Sequence, residues 1–239
     1  MIATTSPGMT ARSTWSRIVK GPSGVCTCRE SFFAVRMGVM FRLIFALVLT
    51  CLPVRLYGDT ILILGDSLSA AYQIPVENSW PKLLAARLSQ KHYPHRVINE
   101  SISGETTAGG LARIDALMLR WQPEIVIVEL GANDGLRGYP IPVFRRNLEH
   151  LIVKIKRGGA RILLAGVKLP TNLGAGYTRP FWQVFQRLAD RYELSFLPFI
   201  LEGVHDQPGL MLPDRIHPSA KGQPVILENI WPLLEPMLD

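Results

Sequence analysis

Residues 60–69 read TILILGDSLS, and this stretch decides how the rest of the chain is interpreted. Its first half, residues 60–64, is a short apolar run of the kind that predicts a strand buried on both faces. A glycine, an aspartate and two serines follow at once, so polar side chains stand where this strand ends. Strands buried on both faces are typical of parallel sheets covered by helices, and the stretch therefore favours an α/β fold.

Strand and helix patterns alternate from residue 59 onward. Further strands are predicted at residues 96–101, 125–130, 161–167 and 194–197. Amphipathic helix patterns separate them, with a helix after Ser79 as a cap and others around residues 111–119, 148–155, 181–192 and 224–238. Helices between consecutive strands indicate parallel crossovers and helices on both faces of the sheet. No repeat or linker interrupts the pattern, so residues 59–239 are predicted to form one domain.

Residues 1–58 have a different composition from the rest. They hold seven lysines and arginines but a single glutamate, and so carry six of the seven net positive charges of the chain. A basic flank followed by the apolar run at residues 43–52 is typical of a signal peptide, and that run is short for a membrane span. We interpret residues 1–58 as an N-terminal extension with a signal peptide, with Met37 or Met40 as the expected start.

This interpretation predicts a periplasmic or secreted protein, with a retained membrane anchor as the alternative. All three cysteines also lie in residues 1–58, so the predicted domain has no thiol that could mispair in an oxidising compartment. Cys26-Thr27-Cys28 has no histidine cluster nearby and does not indicate a zinc site. The nearly neutral domain lacks the basic surface that nucleic acid requires, and no phosphate-binding or dinucleotide motif is present. No nucleic acid is therefore expected, and no bound nucleotide is indicated.

Polar residues follow the ends of several predicted strands. All strands of a parallel sheet end at one edge, and open α/β proteins bind their ligands there. Four segments bring a serine, a glycine, an asparagine and an Asp/His pair to this edge: residues 65–69 (GDSLS), 101–105 (SISGE), 131–134 (GAND) and 214–218 (DRIHP). These are the components of an acyl-transfer site.

Ser67 is the predicted nucleophile, because a serine hydroxyl becomes reactive when a neighbouring histidine takes its proton. His217 is the predicted general base, and Asp214, three residues earlier, is predicted to orient its imidazole. The oxyanion of the tetrahedral intermediate needs directed donors. The backbone N–H groups of Ser67 and Gly104 and the side-chain amide of Asn133 are predicted to supply them.

Other polar and aromatic residues near these segments receive different interpretations. Ser69 and Ser103 are the alternative nucleophiles. Asp66 and Asp134 are expected to be structural and to bind local backbone groups. Tyr72, Trp80 and Trp182 are expected to pack rather than to contact substrate. Residues 136–142 and 170–177 follow strand ends, and we expect them to flank an acyl groove, with Gly135, Gly138, Gly174 and Gly176 allowing movement.

The G-x-S-x-G motif of α/β-hydrolases is absent. Residues 65–69, Gly104, Gly131-x-Asn133 and Asp214-x-x-His217, in this order, resemble the SGNH (GDSL) hydrolase superfamily over essentially all of residues 59–239. Longer stretches, such as residues 61–72 (ILILGDSLSAAY) and 128–138 (VELGANDGLRG), resemble its bacterial periplasmic multifunctional esterases. Ala132 departs from the resemblance, since a second glycine is expected there.

This resemblance implies a three-layer, flavodoxin-like fold with a five-stranded parallel sheet of order 2-1-3-4-5. It implies a hydrolase of acyl thioesters, aryl esters and lysophospholipids that needs no cofactor or metal. Its partners would be small-molecule substrates, with no stable membrane partner after cleavage. Two alternatives stay open: a carbohydrate acetylesterase of the same superfamily, and a non-catalytic flavodoxin-like binding module.

Overall fold

The computed structural model describes residues 58–238, which contain a single five-stranded sheet in the order β2-β1-β3-β4-β5. Every pair of neighbouring strands is parallel. The α/β fold class predicted from the sequence and the sheet order implied by the family resemblance are both confirmed. The strands are β1 (Gly58–Gly65), β2 (Arg96–Asn99), β3 (Pro123–Glu129), β4 (Arg161–Ala165) and β5 (Ser195–Leu197).

Helices alternate with these strands and form a layer on each face of the sheet. In chain order they are α1 (Trp80–Gln90), α2 (Thr107–Trp121), α3 (Ala132–Leu136), α4 (Ile141–Arg157), α5 (Ala175–Tyr192) and α6 (Gln223–Leu234). Helices α1 and α6 pack together in one layer, and α2, α4 and α5 form the other. Short 3₁₀ turns occupy Val76–Asn78, Thr171–Leu173 and Glu235–Met237.

Strands β1 and β3 form the centre of the core. Residues 61–64 and 125–128 are fully buried, as expected for strands covered by helices on both faces. Their register pairs Leu64 with Val128 and Gly65 with Glu129. The segments that follow the two strands therefore leave the sheet side by side and at the same level.

Several predicted boundaries differ from the observed ones, and three of the differences have a local cause. Strand β2 ends at Asn99, whose Oδ1 accepts the Ser101 N–H at 3.2 Å and turns the chain out of the ladder. Helix α2 begins four residues earlier than predicted, because Thr106 caps it by accepting the Gly109 N–H. The last helix ends at Leu234 and continues as a 3₁₀ turn, which contains Pro236, a residue without an N–H.

Ser79 precedes α1 as predicted but does not cap it. Its hydroxyl donates to the Val76 carbonyl at 2.6 Å instead. The first free N–H of α1, that of Trp80, donates to Oε1 of Gln223 at 2.9 Å, and Gln223 is the first residue of α6. This bond fastens the start of one helix to the start of the other, and Trp80 is fully buried as expected.

The N-terminal predictions concern residues outside the described part of the chain. The signal peptide at residues 43–52 and the extension at residues 1–58 fall there, except for Gly58 at the start of β1. Among residues 58–238, none of the helices has both the length and the apolar character that a membrane span requires.

Candidate active site

The turn after β1 and the loop before α6 bring a serine and a histidine together. The Ser67 hydroxyl oxygen lies 2.9 Å from Nε2 of His217. On the other side of the imidazole, Nδ1 lies 2.7 Å from Oδ2 of Asp214. The three side chains thus form one continuous hydrogen-bonded chain, although 150 positions separate the serine from the histidine.

Asp214 is held by the turn that carries the histidine. Its Oδ1 accepts the backbone N–H groups of Ile216 at 2.9 Å and His217 at 3.0 Å. Arg215 takes a left-handed conformation with φ of +59°, which allows the chain to curl around the carboxylate. Burial raises the pKa of Asp214, but the hydrogen bonds from His217 and Ile216 outweigh it and leave that pKa below its usual range. The carboxylate beside the imidazole is therefore charged at neutral pH.

Tyr72 lies against the imidazole. Its ring centroid is 4.2 Å from that of His217, with the planes inclined by 35°. The sequence interpretation treated Tyr72 as a packing residue, and its ring does pack, but on the histidine of the site. The sequence did not predict this contact, because Tyr72 follows Ser67 in a turn, and a turn has no periodic pattern.

The alternative serines have different surroundings. Ser69 is fully buried, and its hydroxyl donates to Oε2 of Glu129 at 2.8 Å, so it faces the interior of the protein. Ser103 is exposed, and the bond of the histidine is to Ser67. The geometry therefore favours Ser67 over both alternatives.

Three N–H groups at this edge of the sheet are available to a ligand. Asn133, in α3, donates one amide hydrogen from Nδ2 to Oδ2 of Asp66 at 3.0 Å, which leaves its second amide hydrogen free. The backbone N–H groups of Ser67 and Gly104 donate to no residue within 58–238. Gly104 has a φ of +81°, a conformation that favours glycine.

Asp134 and Arg137 fix Gly104 relative to Asn133. Asp134 accepts the backbone N–H of Thr107 at 2.8 Å and its hydroxyl at 2.5 Å. Arg137 donates from Nη2 to the Gly104 carbonyl at 2.8 Å. Asp134 is structural and binds its own backbone, as expected, and its carboxylate also reaches Thr107 at the start of α2.

Asp66 does bind local backbone, as expected, and it also reaches further. Its Oδ1 accepts the Leu68 N–H at 3.1 Å, while its Oδ2 accepts from Asn133. Its own N–H donates to Oε2 of Glu129 at 3.2 Å. Sequence reasoning missed Glu129, and the available signal was an acid directly after the apolar run at residues 125–128.

An open groove of about 1390 Å³ begins at Ser67 and His217. Residues from both segments predicted to flank it line its walls, together with Trp182, which was expected only to pack: Leu136, Pro170, Thr171, Asn172 and Ala175. Gly135 lies within α3, where a Cβ would lie 2.4 Å from the Leu169 side chain, so the packing itself requires a glycine at this position. It allows α3 to pack closely on the groove wall.

No group of three or more His, Cys, Asp or Glu side chains within residues 58–238 is arranged to hold a metal ion. The carboxylates at the edge of the sheet instead accept hydrogen bonds from neutral donors or from the histidine. Geometry alone therefore indicates a site that works by proton transfer and directed hydrogen bonds.

Comparison with known proteins agrees with this site. Residues 63–225 match the GDSL-like lipase/acylhydrolase family. The chain belongs to this family. The match begins inside β1 and ends inside α6, so it includes all four segments that meet at the edge of the sheet.

Curated members of the family are similar along most of the chain. Esterase TesA of Pseudomonas aeruginosa is 43% identical over 192 residues, which cover 80% of this chain and 96% of that protein. An arylesterase of Vibrio mimicus is 42% identical over the same shares. Thioesterase 1/protease 1/lysophospholipase L1 of Escherichia coli K12 is 40% identical over 76% of this chain and 86% of that protein.

Solved structures agree as well. The crystal structure of TesA superposes with a TM-score of 0.73 at 44% identity, covering 74% of this chain and 99% of that one. The psychrotrophic esterase EstA from Pseudoalteromonas, inhibited by monoethylphosphonate, also gives a TM-score of 0.73, at 37% identity over 76% and 99% of the two chains. The family and the fold are thus shown by sequence and by structure.

The environment of the three serines predicts how the protein reacts with a fluorophosphonate. Such a probe should label Ser67, the serine hydrogen-bonded to His217, and Ser67→Ala should abolish labelling without unfolding the domain. Ser103→Ala is the matched control and should be labelled like the wild type. Tandem mass spectrometry of the labelled peptide identifies the residue, and an adduct on Ser69 or Ser103 would contradict the geometry.

Proposed function

We propose that this protein hydrolyses acyl esters and thioesters, with Ser67 as nucleophile, His217 as general base and Asp214 as the group that orients the base. The observation that carries the proposal is the hydrogen-bonded chain from Ser67 Oγ through the imidazole to Asp214, with bonds of 2.9 Å and 2.7 Å. It gives a hydroxyl a base within reach and gives that base a charged partner. Membership of an acylhydrolase family supports it.

The proposed reaction has two halves. Ser67 Oγ attacks the acyl carbonyl carbon while His217 Nε2 takes the hydroxyl proton. The carbon–oxygen or carbon–sulfur bond to the leaving group then breaks, and His217 returns the proton to the departing alcohol or thiol. Water next attacks the carbonyl carbon of the acyl-serine ester as His217 takes a proton from it. The bond from that carbon to Ser67 Oγ then breaks, and His217 returns the proton to Oγ, which releases the acid and restores the serine.

Asp214 contributes at each proton transfer. Its charge stabilises the imidazolium that forms when His217 holds the extra proton, and its bond to Nδ1 keeps Nε2 directed at Ser67. The two backbone bonds to Oδ1 prevent the carboxylate from rotating away. The ring of Tyr72 packs against the imidazole of His217 and limits how far the imidazole can tilt.

The oxyanion is proposed to bind the N–H groups of Ser67 and Gly104 and the free amide hydrogen of Asn133. The two backbone groups have no acceptor within residues 58–238, so they need not break a bond to receive the developing charge. Asp66, Asp134 and their partners hold these donors in place before substrate arrives. Preorganised donors of this kind lower the barrier without binding the ground state more tightly.

The role of Asn133 can be measured directly. Asn133→Ala should lower kcat by about 10²–10³-fold with little change in KM, because the amide acts on charge that develops in the transition state. Asn78→Ala, which removes an exposed asparagine, is the control and should leave both constants unchanged. Steady-state kinetics with an aryl ester separate the two constants. An effect confined to KM would mean that Asn133 binds substrate rather than the oxyanion.

The groove suggests which substrates reach Ser67. Much of its lining is apolar, which suits an acyl chain better than a sugar: Val167, Leu169, Phe199, Leu201 and Met211. The curated relatives are named for activity on aryl esters, on thioesters and on lysophospholipids. We propose the same small-molecule substrates here, with the acyl group in the groove.

A panel of p-nitrophenyl esters, acyl thioesters and lysophospholipids tests the substrate class. With aryl esters from acetate upward, kcat/KM should rise by up to about fourfold per methylene until the groove is filled, as expected for burial of about 0.8 kcal/mol per group. Ser67→Ala should lose activity on every substrate. Activity on acetate alone, falling with each added methylene, would favour the carbohydrate acetylesterase instead.

Export is proposed on the sequence of residues 1–58. The basic flank and the apolar run at residues 43–52 support a signal peptide that directs the protein to the periplasm or the medium. Fractionation of cells that express the full chain, with N-terminal sequencing of the product, tests this. A shortened soluble product outside the cytoplasm is expected, whereas a full-length chain in the membrane fraction would support a retained anchor.

A further inference from the structure

Two acidic side chains are buried together directly behind the proposed oxyanion donors. Asp66 and Glu129 are both fully buried, at the ends of the paired strands β1 and β3. Neither forms an ion pair with a lysine or arginine within the described residues. Two carboxylates without a cation cannot both be ionised in such surroundings, because each penalises the charge of the other.

The contacts of each carboxyl show which one holds the proton. Both oxygens of Asp66 accept hydrogen bonds, from the Leu68 N–H and from the Asn133 amide, as an anion would. Glu129 accepts two bonds at Oε2, while its buried Oε1 receives none from residues 58–238. A proton on Oε1 would turn this unsatisfied acceptor into a donor towards the neighbouring Asp66 carboxyl.

The electrostatic surroundings agree with this assignment. Burial raises the pKa of Asp66 to about 6, against the hydrogen bonds from Leu68 and Asn133 and the charge of His217 that lower it. Burial and the Asp66 charge raise the pKa of Glu129 well above its usual range. Asp134 is the other acid that faces Asp66. At neutral pH the pair therefore carries one proton and one negative charge.

We propose that Glu129 is a positioning residue held as a neutral acid, and that it keeps Asp66 ionised and fixed so that Asp66 can aim the Asn133 amide at the oxyanion. Glu129 also holds the turn of the nucleophile, because its Oε2 accepts the Asp66 N–H and the Ser69 hydroxyl. The inference rests on the proposed role of Asn133, although the charge state of the pair does not depend on it.

Glu129→Gln is the decisive variant, because glutamine imitates a neutral acid. Its carbonyl can accept the same two bonds, and its amide can donate towards Asp66. We expect kcat on an aryl ester to change by less than about threefold. Glu129→Leu removes both bonds and should lower kcat by about tenfold, because the buried Asp66 N–H and Ser69 hydroxyl then lose their acceptor. In Asp66→Asn, the new side-chain NH₂ group would face one of the two donors that Asp66 now accepts, the Leu68 N–H or the Asn133 amide. This variant should lower kcat by about 10²-fold with little change in KM.

Infrared difference spectra read the charge state without relying on activity. Wild type minus Glu129→Gln at pH 7 should show the carbonyl stretch of a protonated carboxyl group. As the pH falls through about 6, wild type minus Asp66→Asn should gain a second such band, because Asp66 takes up its proton there. Glu149→Gln is the matched control, since that carboxyl is also mostly buried but pairs with Arg145 and Arg191. It should change neither band nor kcat.

Two results would overturn the inference. One is the absence of a protonated carboxyl band from Glu129 at pH 7, which would mean that the residue is ionised. The other is a loss of kcat in Glu129→Gln as large as in Glu129→Leu, which would mean that its charge is required. If instead the spectra agree but Asn133→Ala leaves kcat unchanged, the proton assignment stands and the proposed oxyanion role fails.

Discussion

The parallel pairing of β1 with β3 is the constraint on which the site depends. Its register sets Gly65 opposite Glu129, so the turn that carries Ser67 and the segment that carries Asn133 start from the same level of the sheet. Only this arrangement lets Asp66 reach the Asn133 amide at 3.0 Å while its own N–H bonds to Glu129. A shift by one residue would move every side chain of a strand to the other face and separate these groups.

Four acidic residues at this edge acquire different roles from different surroundings. Asp214 is the most exposed, and hydrogen bonds from its own turn keep it charged beside the histidine. Asp66 and Asp134 are buried. Asp66 accepts the Asn133 amide, and Asp134 accepts the backbone N–H and the hydroxyl of Thr107 at the start of α2. Glu129 is as fully buried as these two and, in our proposal, stays neutral. The same functional group thus supplies a charged partner, two anchors and a neutral support, because solvation and hydrogen bonding differ at each position.

Periodicity predicted an α/β fold with a parallel sheet and the edge of the sheet where the candidate residues lie, whereas the order of the strands was implied by the family resemblance. Apolar runs marked the strands, and a parallel sheet brings their ends to one edge. Ser67, Asn133, Asp214 and His217 could be picked out there as unusual polar residues at strand ends or in the last loop. The Asp-x-x-His spacing also indicated a local turn, which the two backbone bonds to Asp214 form.

Contacts that depend on distances between elements could not be predicted in this way. Tyr72 packs on His217, and Asp134 reaches α2, through turns that leave no periodic signal. The lack of space beside Leu169 explains why residue 135 is a glycine, and this packing could not be predicted from the sequence. The role of Glu129 needs the register of β1 against β3, which periodicity does not reveal.

A crystal structure of the fluorophosphonate adduct tests the central claim most directly, because the tetrahedral phosphorus imitates the intermediate. The account predicts that phosphorus is bonded to Ser67 Oγ. It also predicts that one phosphoryl oxygen lies about 2.7–3.1 Å from the N–H groups of Ser67 and Gly104 and from Nδ2 of Asn133, with the Asn133–Asp66 bond intact. A phosphoryl oxygen directed to solvent, with Asn133 turned away from it, would contradict the account.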